Sequence, residues 1–359
     1  MSLAYPQPGI LLGNKYLLES IIGKGATAQV YKVKHKYLQI EMAIKVLSPE
    51  LVIKDKKAED MFFDEASNLA KMNHPNLIRI WDAEKIDGYS CIAMEIINGI
   101  NLDSIIKDKT VIEPLKAIKI IIEVCKALAH SFEYGLVHRD IKPGNIMVIE
   151  DNKVKIIDFG LSKKIGQPVK YQIIGGPMCG TLYYMAPEQL TDSDRVDHRA
   201  DIYGVGCTLY HMLIGKVPFQ TDDLSQLISM HMSSEPQAPS QVDSKITPEL
   251  SKIIMRTLEK NQLKRYQSYS ELINDLQKAL KAYDNHSMSI QEAEQMNSLL
   301  INDQSFILSN LKEKYLKKAK DKPSDNENII ESTNNDILLQ QKFLKNIKPD
   351  NPINPSKTY

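Results

Sequence analysis

The sequence predicts an α+β fold of two unequal lobes, the first rich in strands around one main helix, the second mostly helical, with a tail behind them. Three observations predict it. Apolar and polar residues alternate with period two in several runs before Ile97, as half-buried strands do. After Asn98 the apolar residues recur at helical spacing instead. Beyond about Ala282 the composition shifts to Asn, Lys, Ile and Ser. These shifts divide the chain into an N-terminal extension (1–14), a strand-rich lobe (15–97), a helical lobe (98–281) and a tail (282–359).

Hydrophobic residues are 43% and charged residues 25% of the 359, enough for a packed core over most of the length. The formal net charge is +0, so no basic excess points to nucleic acid or an anionic membrane surface. Cys91, Cys125, Cys179 and Cys207 lie far apart with no CxxC pair. That spacing indicates neither zinc nor a disulfide framework, and reduced thiols in a cytosol are expected. Cys179, in a glycine-containing loop, reads equally as a reactive thiol or as a small packed residue. The opening MSLAYPQPGILLG lacks the basic and apolar regions of a secretion signal. No run of about 18 apolar residues is present to span a membrane, so a cytoplasmic location is expected.

In order along the chain, Lys15 to Tyr37 reads as two strands joined by a turn with a GxGxxA pattern, Gly23, Gly25 and Ala28, followed by Val30. Glycines there let backbone N–H groups approach phosphate oxygens. A dinucleotide fingerprint would need a helix after the loop, and the pattern stays strand-like. Glu41–Leu47 is a strand with Lys45 among Ala43, Ile44 and Val46. A lysine so placed needs a partner, and the next helix, Asp60–Met72, offers Glu65. His74-Pro75-Asn76 stops that helix. Leu77–Ala83 and Tyr89–Ile96 read as strands around an Asp87-Gly88 turn. Met94 to Gly99 is an extended connector able to offer backbone groups to a base edge. Leu102–Lys107 and Pro114–Tyr134 read as helices, Pro114 suiting a first turn.

His138–Asn145 reads HRDIKPGN, and Asp158 follows in IDFG after a short strand from Lys153. One carboxylate to orient a hydroxyl, a lysine for developing charge, and an amide with a second carboxylate for metal together suit phosphoryl transfer. Asp158–Glu188 is a long glycine-containing loop ending in GTLYYMAPEQ, of the kind that is usually functional or disordered. Asp201–Leu213 is a helix apolar all round, and Leu224–Met232, Pro248–Glu259 and Ser270–Leu280 complete the helical lobe. In the tail, about 288–320 is expected to be partly helical, with Ile307, Leu308, Leu311 and Tyr315 on one stripe. From Lys322 disorder is expected.

These residues resemble the protein kinase superfamily, specifically Ser/Thr kinases of the bacterial eukaryotic-like type, over roughly Tyr16–Leu280. The resemblance implies a bilobal protein-kinase-like fold. It makes Ile22, Gly23, Lys24, Gly25, Ala26 and Val30 the nucleotide loop and Ala43-Ile44-Lys45 the strand with the ATP lysine. Glu65 becomes the lysine's partner, Met94 the gatekeeper, Glu95 to Ile97 the hinge, and Val30, Ala43 and Met147 the adenine sandwich. Asp140 becomes the catalytic base with Lys142 and Asn145 beside it, and Asn145 and Asp158 the metal ligands. Glu188, in the Ala-Pro-Glu motif, should pair with Arg265. Leu69, Ile80, His138 and Phe159 should stack as a spine above Asp201. The implied cofactors are ATP and Mg²⁺, with Mn²⁺ as the alternative. The implied partners are proteins with Ser or Thr acceptors, as Lys142 and Thr181 suggest, and the tail is expected to serve a homodimer or a docked partner. A pseudokinase that binds without transferring is the alternative reading.

Two departures from the family pattern stand out. Ala28 replaces the last glycine of the nucleotide loop. Arg139 precedes the catalytic aspartate, yet the usual phosphate-accepting position of the activation segment is Pro177, and only Ser162, Tyr171 and Thr181 carry hydroxyls between Leu161 and Leu182. Activity is therefore expected not to rest on the usual activation-loop threonine.

Overall fold

The structure is a computed structural model; it describes residues 4–109, 111–150, 153–159, 163–164, 179–191 and 196–284. The expected tail from residue 285 on, Ser162, Tyr171 and Pro177 lie outside the described residues, while 282–284 continue the last helix.

The N-terminal part is a six-stranded sheet with strand order β1-β2-β3-β4-β6-β5. Its strands are β1 (Leu11–Leu12), β2 (Tyr16–Lys24), β3 (Ala28–His35), β4 (Glu41–Leu47), β5 (Ile80–Ile86) and β6 (Tyr89–Met94), antiparallel throughout. Alternation sends successive side chains of β4 to opposite faces. Ile44 and Val46 join a cluster with Tyr31, Val33, Cys91 and Ala93. Leu47 joins Ile92, Phe62 and Ala66, so Lys45 shares the helix-covered face with Ala43 and Leu47. That helix is α2 (Lys56–Ala70), preceded by α1 (Pro49–Lys54).

Two short elements differ from the sequence reading. β1 pairs within the expected N-terminal extension, matching Leu11 to Leu17 and Leu12 to Tyr16. The Tyr31 hydroxyl reinforces it by donating to the Pro6 carbonyl at 2.9 Å. A two-residue strand is too short to show periodicity. α1 is the second; Pro49 occupies its first turn and the Ser48 hydroxyl accepts from Leu51 N–H, a capped start written in two residues. α2 begins four residues before the expected Asp60 because Asp55 caps it, accepting from Lys57 N–H.

The C-terminal part opens with β7 (Ile100–Asn101), α3 (Leu102–Lys109) and α4 (Pro114–Glu133), followed by β8 (Leu136–Val137), β9 (Ile146–Val148), β10 (Val154–Ile156) and β11 (Lys163–Lys164). Then come α5 (Cys179–Leu182), α6 (Pro187–Thr191), α7 (His198–Ile214), α8 (Leu224–Ser233), α9 (Pro239–Val242), α10 (Pro248–Thr257) and a last helix, α11 (269–284). As its composition requires, α7 is buried on nearly all sides. Asp197 caps its start, and Gly215 at φ 74° ends it in the left-handed region.

Ile156 N–H donates to Asn76 O at 2.9 Å and Ile78 N–H to Ile156 O at 3.1 Å, which ties β10 to the segment after α2. The Asn76 amide adds a bond to Val154 O at 2.9 Å. At Gly99 a Cβ would sit 2.7 Å from Val148 O, so only glycine lets the connector pass β9. These links set the β9–β10 hairpin, and with it the loop before β9, beneath the sheet.

Candidate active site

Lys45 projects from β4 between two carboxylates. Its Nζ lies 3.2 Å from Glu65 Oε1 on α2 and 3.2 Å from Asp158 Oδ1 after β10. Glu65 Oε1 also accepts the Phe159 N–H at 3.3 Å, so one glutamate on α2 holds both the lysine and the start of the following segment. Burial pulls the Lys45 pKa down, but Asp158 and Glu65 outweigh it and hold it above the usual lysine value. Burial raises the Glu65 pKa, against the pull of Lys45. The ion pair predicted from an unpartnered strand lysine is present.

Asp140 sits in the turn before β9. Lys142 Nζ donates to Asp140 Oδ2 at 2.8 Å and to Thr181 Oγ1 at 2.6 Å. Asn145 Nδ2 donates to the Asp140 carbonyl at 2.8 Å and to its Oδ2 at 3.0 Å. Oδ2 is thus committed to two donors, while the buried Oδ1 has no hydrogen-bond partner among the described residues. Burial raises the Asp140 pKa, with Lys142 and Asn145 opposing it. A buried acceptor with no partner is costly, and it is the atom available to a hydroxyl proton.

The loop carrying Asp140 hangs from Asp201 at the start of α7. The Asp201 carboxylate accepts His138 N–H at 2.9 Å and Arg139 N–H at 2.6 Å. The Tyr269 hydroxyl donates to the same carboxylate at 3.0 Å. Arg139 has φ 68°, a strained value for a side chain of that size, and these bonds hold it. Burial raises the Asp201 pKa to about 6, against the lowering by those backbone N–H groups. His138 is buried beside Phe159, ring centroids 4.4 Å apart, and burial lowers its pKa to about 4. Leu69, Phe159 and the partly buried Ile80 belong to one apolar cluster.

On the far side, Arg265 is fully buried and grips Glu188 with two bonds, 2.6 and 2.9 Å. Gln189 Nε2 donates to Arg139 O at 2.8 Å, so the end of the long loop and the Asp140 turn are fixed to each other. A cavity of about 540 Å³ lined by Lys142, Gly144, Thr181 and Tyr184 opens at the lysine that bonds Asp140.

For a base, Ala43 and Met94 are buried and paired across β4 and β6, and Val30 pairs with Lys45. Val30, Met147 and Ile97 are half-buried. Glu95 turns its side chain away, to Lys155 Nζ at 2.6 Å and Arg79 N–H at 2.7 Å, and its own N–H donates to Arg79 O at 3.0 Å, so its carbonyl is the group left for a ligand. Gly23 and Lys24 end β2, and Gly25 N–H donates to Ala28 O at 2.9 Å across the turn. Ile22, Lys24 and Ala26 are exposed, and among the described residues none of them bonds to the Lys45 or Asp140 groups. Tyr269, Gln189 and Lys155 escape a reading of the sequence: each acts through a distant partner, and although Gln189 closes GTLYYMAPEQ, nothing in that stretch names Arg139 as its partner.

A divalent cation fits the remaining donors. Asn145 spends its Nδ2 on Asp140, which leaves an amide oxygen, and Asp158 supplies a half-exposed carboxylate. Two hard oxygen donors suit a magnesium ion that shares its shell with phosphates and water.

A lysine between two acids, an aspartate with lysine and asparagine beside it, and a strand-rich part over a helical one are the arrangement of the protein kinase class. The chain belongs to the protein kinase family, whose domain model matches residues 16–277. Its relatives place it with the bacterial eukaryotic-like Ser/Thr kinases. It is 35% identical over 269 residues to the serine/threonine-protein kinase PknB of Mycolicibacterium smegmatis, covering 74% of this chain and 43% of that one. It is 34% identical over 273 residues to a probable serine/threonine-protein kinase of Streptomyces coelicolor, covering 75% and 40%. The chain thus spans about four-tenths of the length of these relatives. Among solved structures, a mutant form of the Mycobacterium tuberculosis PknI kinase domain superposes with TM-score 0.59 at 26% identity, covering 77% of this chain and 99% of that one.

Proposed function

We propose that this chain transfers the γ-phosphoryl group of ATP to Ser and Thr hydroxyls of proteins, itself included, in the cytosol, where ATP is supplied. The observation that carries the reading is the pairing of Lys45 with both Glu65 and Asp158 at 3.2 Å. It fixes one cation and one metal-binding acid at a single point.

In this reading Lys45 holds the inner phosphates, and the backbone of Gly23 to Val30 covers them. Asn145 and Asp158 hold Mg²⁺ or Mn²⁺, which when bound neutralises phosphate charge. Val30, Ala43 and Met147 enclose the base, Met94 closes its depth, and Glu95 and Ile97 offer backbone groups. Asp140 Oδ1 takes the acceptor's proton, while Lys142 steadies Oδ2 and the charge that moves. Positioning and electrostatics supply the rate. Thr181 is buried, its hydroxyl accepting from Lys142. That supports activity without a phosphate on Thr181, and mass spectrometry of active protein should find it unmodified.

The test is transfer from γ-labelled ATP to Ser/Thr peptides by the full chain. Label should appear with Mg²⁺ and vanish on chelation. Equal labelling with and without a divalent cation would remove Asn145 and Asp158 from their assigned role.

A further inference from the structure

The helix that carries Glu65 has a second polar anchor that the transfer reading does not use. Glu59 stands in the first turn of α2. Its carboxylate meets Lys85 Nζ at 2.8 Å and accepts the hydroxyl of Ser90. Lys85 and Ser90 face each other across the β5–β6 ladder, so Glu59 clamps one cross-strand pair. Ser90 is buried. Lys85 and Ser90 together hold the Glu59 pKa below the usual glutamate value. Six residues on, about 9 Å along the axis, Glu65 makes the second anchor, to Lys45 and Phe159 N–H. Phe62, Ala66 and Ile92 fill the space between them with apolar contact, which resists separation but has no direction to stop a helix turning about its axis.

We propose that Glu59 is a positioning residue for phosphoryl transfer: its grip on Lys85 and Ser90 fixes the rotation of α2, so that Glu65 stays within reach of Lys45. The inference rests on the reading above, since it gives Glu65 and Lys45 their work. Glu59 is paired with the sheet itself, and the clamp needs no residue of the long loop. It therefore supplies a fixed helix to a protein whose activation segment has Pro177 in place of the usual acceptor.

The test is a double-mutant cycle in the full chain. Glu59→Ala should lower kcat roughly three- to tenfold, the cost of one ordinary, partly exposed hydrogen bond. In a Glu65→Gln background the same substitution should lower it no further, because the anchor acts only through Glu65. The exchanged pair, Glu59→Lys with Lys85→Glu, should recover most of the activity of Glu59→Ala. A purely structural role predicts instead that the two losses multiply, and that result overturns the proposal, as does wild-type kcat in Glu59→Ala. Hydrogen exchange over residues 56–70 gives a second readout independent of turnover: Glu59→Ala should speed it, and unchanged exchange contradicts the clamp. Failure of the wild-type chain to transfer phosphate counts against the function proposed above, while the exchange result still decides the clamp.

Discussion

The two halves of the site are mounted differently. Lys45 and Glu65 stand on regular elements, a central strand and a helix, and their places follow from period two and period 3.6. Asp140, Lys142 and Asn145 stand on a turn with little repeating structure, held by Asp201 from α7, Tyr269 from α11 and Gln189 from α6. The first half draws its precision from packing and ladder bonds. The second draws it from a few buried polar bonds, three of which meet at the Asp201 carboxylate. Loss of one group should therefore be felt more locally in the strand half and more broadly in the turn half.

The largest expected effect is on the reacting turn. Asp140→Asn should reduce kcat by roughly 10²–10⁴ with an ordinary melting temperature, since the amide keeps the volume and the bond to Lys142 is partly exposed. A matching loss of stability would show that the aspartate holds the turn as well as serving the reaction. Next, Arg265→Ala leaves Glu188 buried without its partner, which should cost about 3–5 kcal/mol and lower Tm by roughly 10 °C. Calorimetry checks it, and a shift under about 2 °C would mean that the Glu188–Arg265 pair does not anchor the end of the long loop beside the turn.

Asp201 sharpens the comparison through pH. Its folded pKa, about 6, lies above the ordinary 3.8. The folded state then binds a proton that the unfolded state has lost between those values, so this group's contribution is fully present below about 3.8 and falls as pH rises to about 6. Asp201→Asn should flatten that part of the Tm profile while weakening the hold on His138 and Arg139. An unchanged profile would mean that Asp201 does not titrate there. The smallest effect is expected at Thr181. Thr181→Val removes one acceptor from Lys142 and should lower kcat roughly tenfold without altering Tm by more than a few degrees.

The same contrast explains what can be read from sequence. Lys45 demands an acid, and Glu65 lies at the right helical position. The sheet, α4, α7 and α10 follow from their spacing and from Pro114 and Pro248 at helix starts. The turn half is legible only through its motif and the family resemblance, because no periodicity places Asp140 next to Asn145. Tyr269 and Gln189 stay hidden for that reason: their partners are 68 and 50 residues away. The turn of Glu95 toward Lys155 is hidden too, since a β10 lysine carries no mark of its partner. β1 and α1 are too short to announce themselves, and are fixed by Leu12 burial and by the Ser48 cap.

The most direct measurement is phosphoamino-acid analysis of label transferred from γ-labelled ATP and Mg²⁺ by the full chain, beside Asp140→Asn. Phosphoserine and phosphothreonine from the wild type, with the variant at least about a hundredfold slower, is the result the proposed transfer through Lys45, Asp140 and Asp158 predicts. Label on tyrosine alone, or equal transfer by both proteins, would contradict it.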